Sequence, residues 1–550
     1  MTALHQTEVD GVRCFWVETG RPTLAAALMF RHGLADEPFT ESGFAHLLEH
    51  LSLHGRGGGA LQVNGSVRLL ETTFDAHGPA DQVAAHLEGL TGWLSAPGFA
   101  EIERERQVLA AEAAVRGEGP SSRAMAWRYG ARGPGVVLYG EPGLGRATPP
   151  LLTERAHQVF TRGNATLALD GPPPAGLRLT LPEGARQPVR AAVSVETRFP
   201  AMYVDDAGLV LSGVVPRGAA AVIAAELLRR ALQQRLRHQE GAAYAPWSLY
   251  ERVDPDLSVL MGGSDIRPEA LATLANNTLD LTRSLVQSPD PAAMAEVRDS
   301  FTQGIRDPYA QFGLATRAAA AVLHGKEPET ADQVLAELLA VTPDDVVATF
   351  QRFLDTILVG LPGDTPWQHQ MRSLTPPMTI PAVKGRRHRS RNWPADRTRL
   401  VIGDDAVELR VGTEARVARY AQVEGVLAHE NGLRTLVSTD GYVITVNPHA
   451  WHRGTEAVRR LDEVAPSAKL LPMPAVPGIE QTTRLHAVDR WTRPLRGHIT
   501  KVRALRLAFF VGGIAVLVGG IALAVAVKVA PLGVVATIAG ISMMRGAASD

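Results

Sequence analysis

Gly43-Phe44-Ala45-His46-Leu47-Leu48-Glu49-His50-Leu51 is the stretch on which the reading of this chain turns. On an α-helix, residues four apart lie on one face, so His46 and His50 can aim two imidazoles at a single ion. Glu49 sits one residue before the second histidine, within reach of a water on that ion without ligating it. Two neutral imidazoles and a carboxylate suit zinc, and a catalytic zinc keeps one position open for water. Without a third ligand, the same stretch also reads as an amphipathic helix with packed or solvated histidines.

Working outward, residues 12–18 and 23–31 have the composition of short strands, separated by Gly20-Arg21-Pro22. The helix is expected over about 42–54 and ends in His54-Gly55-Arg56-Gly57-Gly58-Gly59. An extended segment over 63–74 and an amphipathic helix over 81–95, stopped by Pro97, follow. A further helix over about 99–116 carries Glu105 and Glu112, seven residues and two turns apart on one face. One of that pair can ligate while the other orients a ligand; taken alone, the segment reads first as a charged surface helix.

These pieces occur in a familiar order. Gly43-Phe44-Ala45-His46-Leu47-Leu48-Glu49-His50, Asn64-Gly65, Pro97-Gly98-Phe99 and Glu105-Arg106-Gln107-Val108-Leu109-Ala110-Ala111-Glu112 together resemble the insulinase (pitrilysin-like) family of inverzincin peptidases, in its mitochondrial-processing-peptidase-like branch. The resemblance implies a zinc site with His46, His50 and Glu112 as ligands, Glu105 as the acidic residue behind them and Glu49 as catalytic base. It also implies that Asn64 lies on the strand that holds substrate backbone. The chain departs from the family in a shortened stretch between His50 and Glu112, where a helix is reduced to the glycine-rich segment near 55–63. The shape of the cleft is what that departure touches.

The whole chain sets the frame. At 550 residues it should hold three or more compact units. With 45% hydrophobic and 21% charged residues it can build ordinary cores. A formal net charge of -1 gives no global attraction to nucleic acid, and none is expected as a partner. Cys14, the one cysteine, excludes an intrachain disulfide framework and a thiolate zinc site. Residues 1–10 are polar without an apolar run, so no secretory leader is expected.

After a Pro- and Gly-rich connection near 160–200, a second half over about 190–372 repeats the order strands, long helix, strands, helices. At the end of its long helix, Arg237 and Tyr244 match the family's Arg-x6-Tyr signature, which contacts bound substrate. A guanidinium and a phenol suit an oxyanion or a peptide carbonyl. The resemblance implies two such units around an enclosed chamber, with this pair facing the opposite unit's metal. One unit is present here, so a homodimer, or a heterodimer with a homologous chain, is expected.

Beyond it, Lys384, Arg386, Arg387, Arg389, Arg391, Arg397 and Arg399 read as a basic linker; most such runs are solvated, and one tethered near a bilayer could also touch anionic headgroups. Alternating residues with turns at Gly403-Asp404-Asp405, Glu430-Asn431-Gly432 and Asp440-Gly441, then a helix, look like a small pleckstrin-homology-like barrel. The first reading of such a module is an interaction or spacer unit with no lipid headgroup site. Residues 507–527 are uncharged and apolar, long enough to cross a membrane, and Lys501, Arg503 and Arg506 before them place the preceding domains in the cytoplasm. A second apolar run follows Pro531, and a tight hairpin with both ends cytoplasmic fits the charges slightly better than one span with a short apolar tail.

The expected fold is α+β. Two related α/β peptidase halves (1–175, 185–372) precede a basic linker (373–398), a pleckstrin-homology-like barrel (399–470), a juxtamembrane linker (471–503) and a transmembrane helix or hairpin (504–545). The expected function is a membrane-anchored zinc metalloendopeptidase that cleaves peptides or unfolded segments, with its catalytic domain on the cytoplasmic side of the cell membrane. A non-catalytic scaffold and a membrane adaptor are the competing readings.

Overall fold

Alternation along Leu24–Phe30 builds the first layer pair. Ala26, Leu28 and Phe30 face one core, while Ala27 and Met29 face another, as a period of two requires in a strand buried on both sides. The computed structural model describes residues 3–481 apart from 117–118, 205–207, 242–244, 265–270, 288, 308–309, 364 and 366. Its first half comprises β1 (His5–Val9), β2 (Val12–Trp16), β3 (Leu24–Phe30), α1 (Phe44–Leu53), β4 (Gln62–Val67), β5 (Thr72–Gly78), α2 (Ala80–Ser95), α3 (Ile102–Arg116), α4 (Pro120–Tyr129), α5 (Pro149–Val159) and β6 (Ala165–Leu169). The sheet order is β1-β2-β6-β3-β5-β4. Phe44, Leu47, Leu48 and Leu51 of α1 pack on one face with α2 and α5.

The second half runs β7 (Ala201–Val204), β8 (Leu209–Pro216), α6 (Ala219–Leu232), β9 (Trp247–Arg252), β10 (Leu257–Ser264), α7 (Leu271–Gln287), α8 (Pro291–Arg306), α9 (Phe312–Leu323), α10 (Ala331–Ala340), α11 (Pro343–Asp355), β11 (Leu358–Leu361) and β12 (Arg372–Ser373). Its order, β12-β7-β11-β8-β10-β9, matches the first sheet strand for strand once β1 and β12 are set aside. In each, one parallel pair (β2 with β6, β7 with β11) is followed by antiparallel neighbours. The expected internal repeat is therefore visible in topology, with α6 in the place of α1.

The halves are tied together. Helix α9 lays Ala315, Ala318 and Ala319 on the outer face of the first sheet. Arg128 of α4 is buried, donating from Nη2 to the carbonyls of Ser212 (2.8 Å) and Thr356 (2.9 Å). Burial pulls its pKa down to about 10, so it stays charged. Arg128→Met removes that donor and leaves two carbonyls unpaired; it is expected to cost about 2–4 kcal/mol, read as a lower unfolding midpoint in urea.

The third unit holds β13 (Arg386–Arg389), β14 (Arg399–Ile402), β15 (Ala406–Val411) and β16 (Glu414–Arg419) in one antiparallel sheet. A second sheet, β19-β18-β17-β20, contains β17 (Val423–His429), β18 (Arg434–Ser438), β19 (Val443–Val446) and β20 (Leu470–Met473). Helix α12 (Gly454–Val464) closes the core around the buried Trp451. Two expected boundaries are corrected here. Residues 386–389 of the basic linker are an edge strand paired to β14, because an edge needs only His388 turned inward while Arg387 and Arg389 stay in solvent. The juxtamembrane linker does not begin at 471: Leu471 and Ile479 are buried, and β20 runs parallel to β17. Among the described residues no helix is long and apolar enough to cross a membrane. The apolar runs at 507–527 and after Pro531 lie outside the described residues.

Candidate metal centre

Helix α1 begins at Gly43, whose φ of +97° favours glycine. The carboxylate of Glu37 accepts from the N–H of Gly43 (2.8 Å) and of Ala45 (2.7 Å), capping the helix from an upstream loop. Burial pushes that carboxyl up to about 7 against these two donors. From this start, His46, Glu49 and His50 share one face, and their ligand atoms lie within 4.8 Å of one another.

Helix α3 supplies the third group. Glu112 stands 3.8 Å from His46 Nε2 through Oε2 and 3.5 Å from His50 Nε2 through Oε1. Glu49 Oε2 is 3.8 Å from His46 Nε2 and 3.7 Å from His50 Nε2. Ligands of a tetrahedral zinc, at about 2.0–2.1 Å from the ion, stand about 3.4 Å apart, so the two imidazoles and Glu112 fit that ion with small adjustment. Both Nδ1 atoms are held from behind. His50 Nδ1 is 3.2 Å from Glu105 Oε2, and His46 Nδ1 is 2.7 Å from Glu141 Oε1. A donated Nδ1–H fixes the tautomer with a bare Nε2 facing inward, which is the form that binds a metal. Burial raises the Glu49 carboxyl above its usual range, against the opposing pull of His50 and His46.

Strand β4 is the last strand of its sheet and passes beside the base. A side chain at Gly65 would begin 2.0 Å from Glu49 Oε1, so only glycine admits this approach. Asn64 is exposed on the same strand. Residues 54–61 connect α1 to β4, with a bridge between Gly58 and Leu61.

His46, Glu49, His50, Glu105 and Glu112 thus come together. Arg237 stands apart in the second half, exposed on the wide turn that ends α6, and Tyr244 lies outside the described residues. Two residues were missed by the sequence. His54, whose Nδ1 is 2.8 Å from Glu105 Oε1, repeats the four-residue spacing of His46 and His50 and was open to discovery. Glu141, 95 residues from His46, carried no such signal.

Among solved structures, the chain is similar to the first half of the periplasmic protease PqqL from Escherichia coli, with 16% identity over 65% of this chain and 91% of that one, at a TM-score of 0.51. A peptidase M16 inactive domain from Pseudomonas fluorescens matches at 14% identity, 65% and 97% coverage and a TM-score of 0.52. A protease from Helicobacter pylori matches at 14% identity, 66% and 99% coverage and a TM-score of 0.50. No protein-family model and no curated protein matches the sequence. Over about two thirds of its length the chain has the fold of the M16 peptidases.

Proposed function

We propose that this chain is a zinc endopeptidase acting on peptides or unfolded segments. One observation carries the proposal: Nε2 of His46 and Nε2 of His50 each stand 3.5–3.8 Å from the carboxylates of both Glu112 and Glu49. When bound, zinc supplies Lewis acidity to a water and to the scissile carbonyl. His46, His50 and Glu112 hold it, each imidazole set in place by a carboxylate on its Nδ1. Glu49 takes a proton from the attacking water and returns it to the leaving amine. An extended substrate pairs with the free edge of β4, so that its backbone runs past Glu49 with Asn64 at hand.

In this reading Arg237 and Tyr244 of a second copy, or of a homologous chain, complete each site by holding the carbonyl oxygen. The third unit is read as pleckstrin-homology-like, supported by its two four-stranded sheets, antiparallel except for the β17–β20 pair, and its closing helix. The apolar run at 507–527, with its basic flank, supports a tether that keeps the peptidase on the cytoplasmic membrane face.

The test is metal analysis with turnover of an unfolded protein substrate such as reduced casein. About one zinc per chain is expected. Chelation should abolish cleavage and added zinc should restore it, with far-UV circular dichroism unchanged, because the site sits on elements packed independently of the ion. Zinc-loaded protein that leaves casein intact would remove the enzyme and keep the metal-binding scaffold.

A further inference from the structure

Glu141 reaches His46 from a segment that the third unit holds in place. Its backbone is left-handed (φ 61°) and its side chain is buried; a non-glycine residue in that conformation is strained and persists only where its surroundings fix it. On one side those surroundings are the metal helix: the N–H of Gly143 donates to the carbonyl of Ser42 at 3.1 Å. A side chain at Gly43 would meet Glu141 Cβ at 2.8 Å. On the other side is the C-terminal sheet. A side chain at Gly145 would begin 2.5 Å from the carbonyl oxygen of Pro472 in β20, and Arg146 donates to the carbonyl of Ala468. Phe39, which precedes the start of α1, is buried in one cluster with Ala131, Val437 and Leu471, and packs edge-on against Tyr139 at 4.9 Å. Arg132 pairs with Glu424 at 2.6 Å across the same joint. The two loops that set the metal helix, one through Glu37 and one through Glu141, therefore share one support.

From this we infer that the C-terminal two-sheet unit braces the metal centre. Glu141 is the positioning residue through which docking of β20 fixes the His46 imidazole. The inference rests on the zinc site proposed above and concerns metal affinity rather than turnover. A detached unit leaves Glu141 free to relax to an ordinary backbone conformation, and His46 then loses its fixed tautomer and orientation.

A double-mutant cycle on the full chain tests it, using zinc affinity from competition with a fluorescent chelator and the visible spectrum of the cobalt-substituted protein. Glu141→Gln keeps the volume and removes the charge; it should weaken zinc binding by about 10- to 100-fold and shift the cobalt bands. Leu471→Ala, in the joint and remote from the ligands, should weaken binding in the same direction, and Leu471→Met should restore it. Because both act through His46, Leu471→Ala should add little in the Glu141→Gln background. The brace is overturned if Leu471→Ala leaves zinc affinity at the parent value, or if its loss recurs in full beside Glu141→Gln. A parent chain that takes up no zinc would remove the proposed function and the brace together. A parent that binds zinc with both variants unchanged removes the brace alone.

Discussion

Glu49→Gln is expected to keep one zinc per chain and lower peptide cleavage by roughly 10²- to 10⁴-fold, the range a positioned general base supplies. The substitution is nearly isosteric, so it fits the same gap between α1 and Gly65. It leaves His46, His50 and Glu112 in place, and with them the metal. What it removes is the capacity to accept a proton from water beside the scissile carbonyl. Burial and the two imidazoles hold that carboxylate within 4 Å of both Nε2 atoms, a position it shares with Glu112. Glu112 is committed to the ion, while Glu105 and Glu141 face the Nδ1 sides. Initial rates on casein, normalised to zinc content, decide the matter. A variant that cleaves as fast as the parent would show that the proton goes elsewhere.

The second large effect concerns the joint between the halves. His324, at the end of α9, is buried, accepting from Arg252 Nη1 at 3.2 Å with Glu71 Oε2 3.5 Å from its Nε2. Burial first, then the guanidiniums of Arg252, Arg31, Arg217 and Arg186, push its pKa down to about 3. An unfolded chain protonates this histidine near pH 6.5, whereas the folded chain does not until far lower. Between those values the unfolded state binds more protons, so stability falls as pH falls, by about 1.4 kcal/mol per pH unit from this group. Glu37, with its carboxyl pushed up to about 7, works in the opposite sense as pH falls from 7, so the parent's total profile mixes both. The variant isolates the histidine. His324→Asn keeps an acceptor for Arg252 and does not titrate. Relative to this variant the parent should lose about 2 kcal/mol on going from pH 7 to pH 5, read from paired urea unfolding curves. Parallel pH profiles for the two proteins would refute the assignment.

Much of the site was legible before any fold. Helical spacing alone put His46, Glu49 and His50 on one face, because i and i+4 superpose on any α-helix whatever surrounds it. The seven-residue interval between Glu105 and Glu112 fixed their shared face in the same way. The repeat of strand and helix order foretold two sheets of like topology, since period-two and period-3.6 patterns are written locally. Linker limits failed for a related reason. The Arg-rich strand at 386–389 resembles solvated chain because an edge strand exposes most of its residues, and only pairing with β14 reveals it.

What only the tertiary structure decided is how distant groups meet. That α3 lies against α1 so that Glu112 faces both Nε2 atoms is a packing outcome, set by the shared core of Leu47, Leu51 and Leu109 and carried by no local pattern. Glu141 is the clearest case. Its partner is 95 residues away, and its loop is held by a strand, β20, more than 300 residues further along the chain. Sequence spells out which chemistry each helix can present, because that depends on neighbours a turn away. Where those faces converge, and what keeps them there, depends on contacts between segments whose separation along the chain bears no relation to their separation in space.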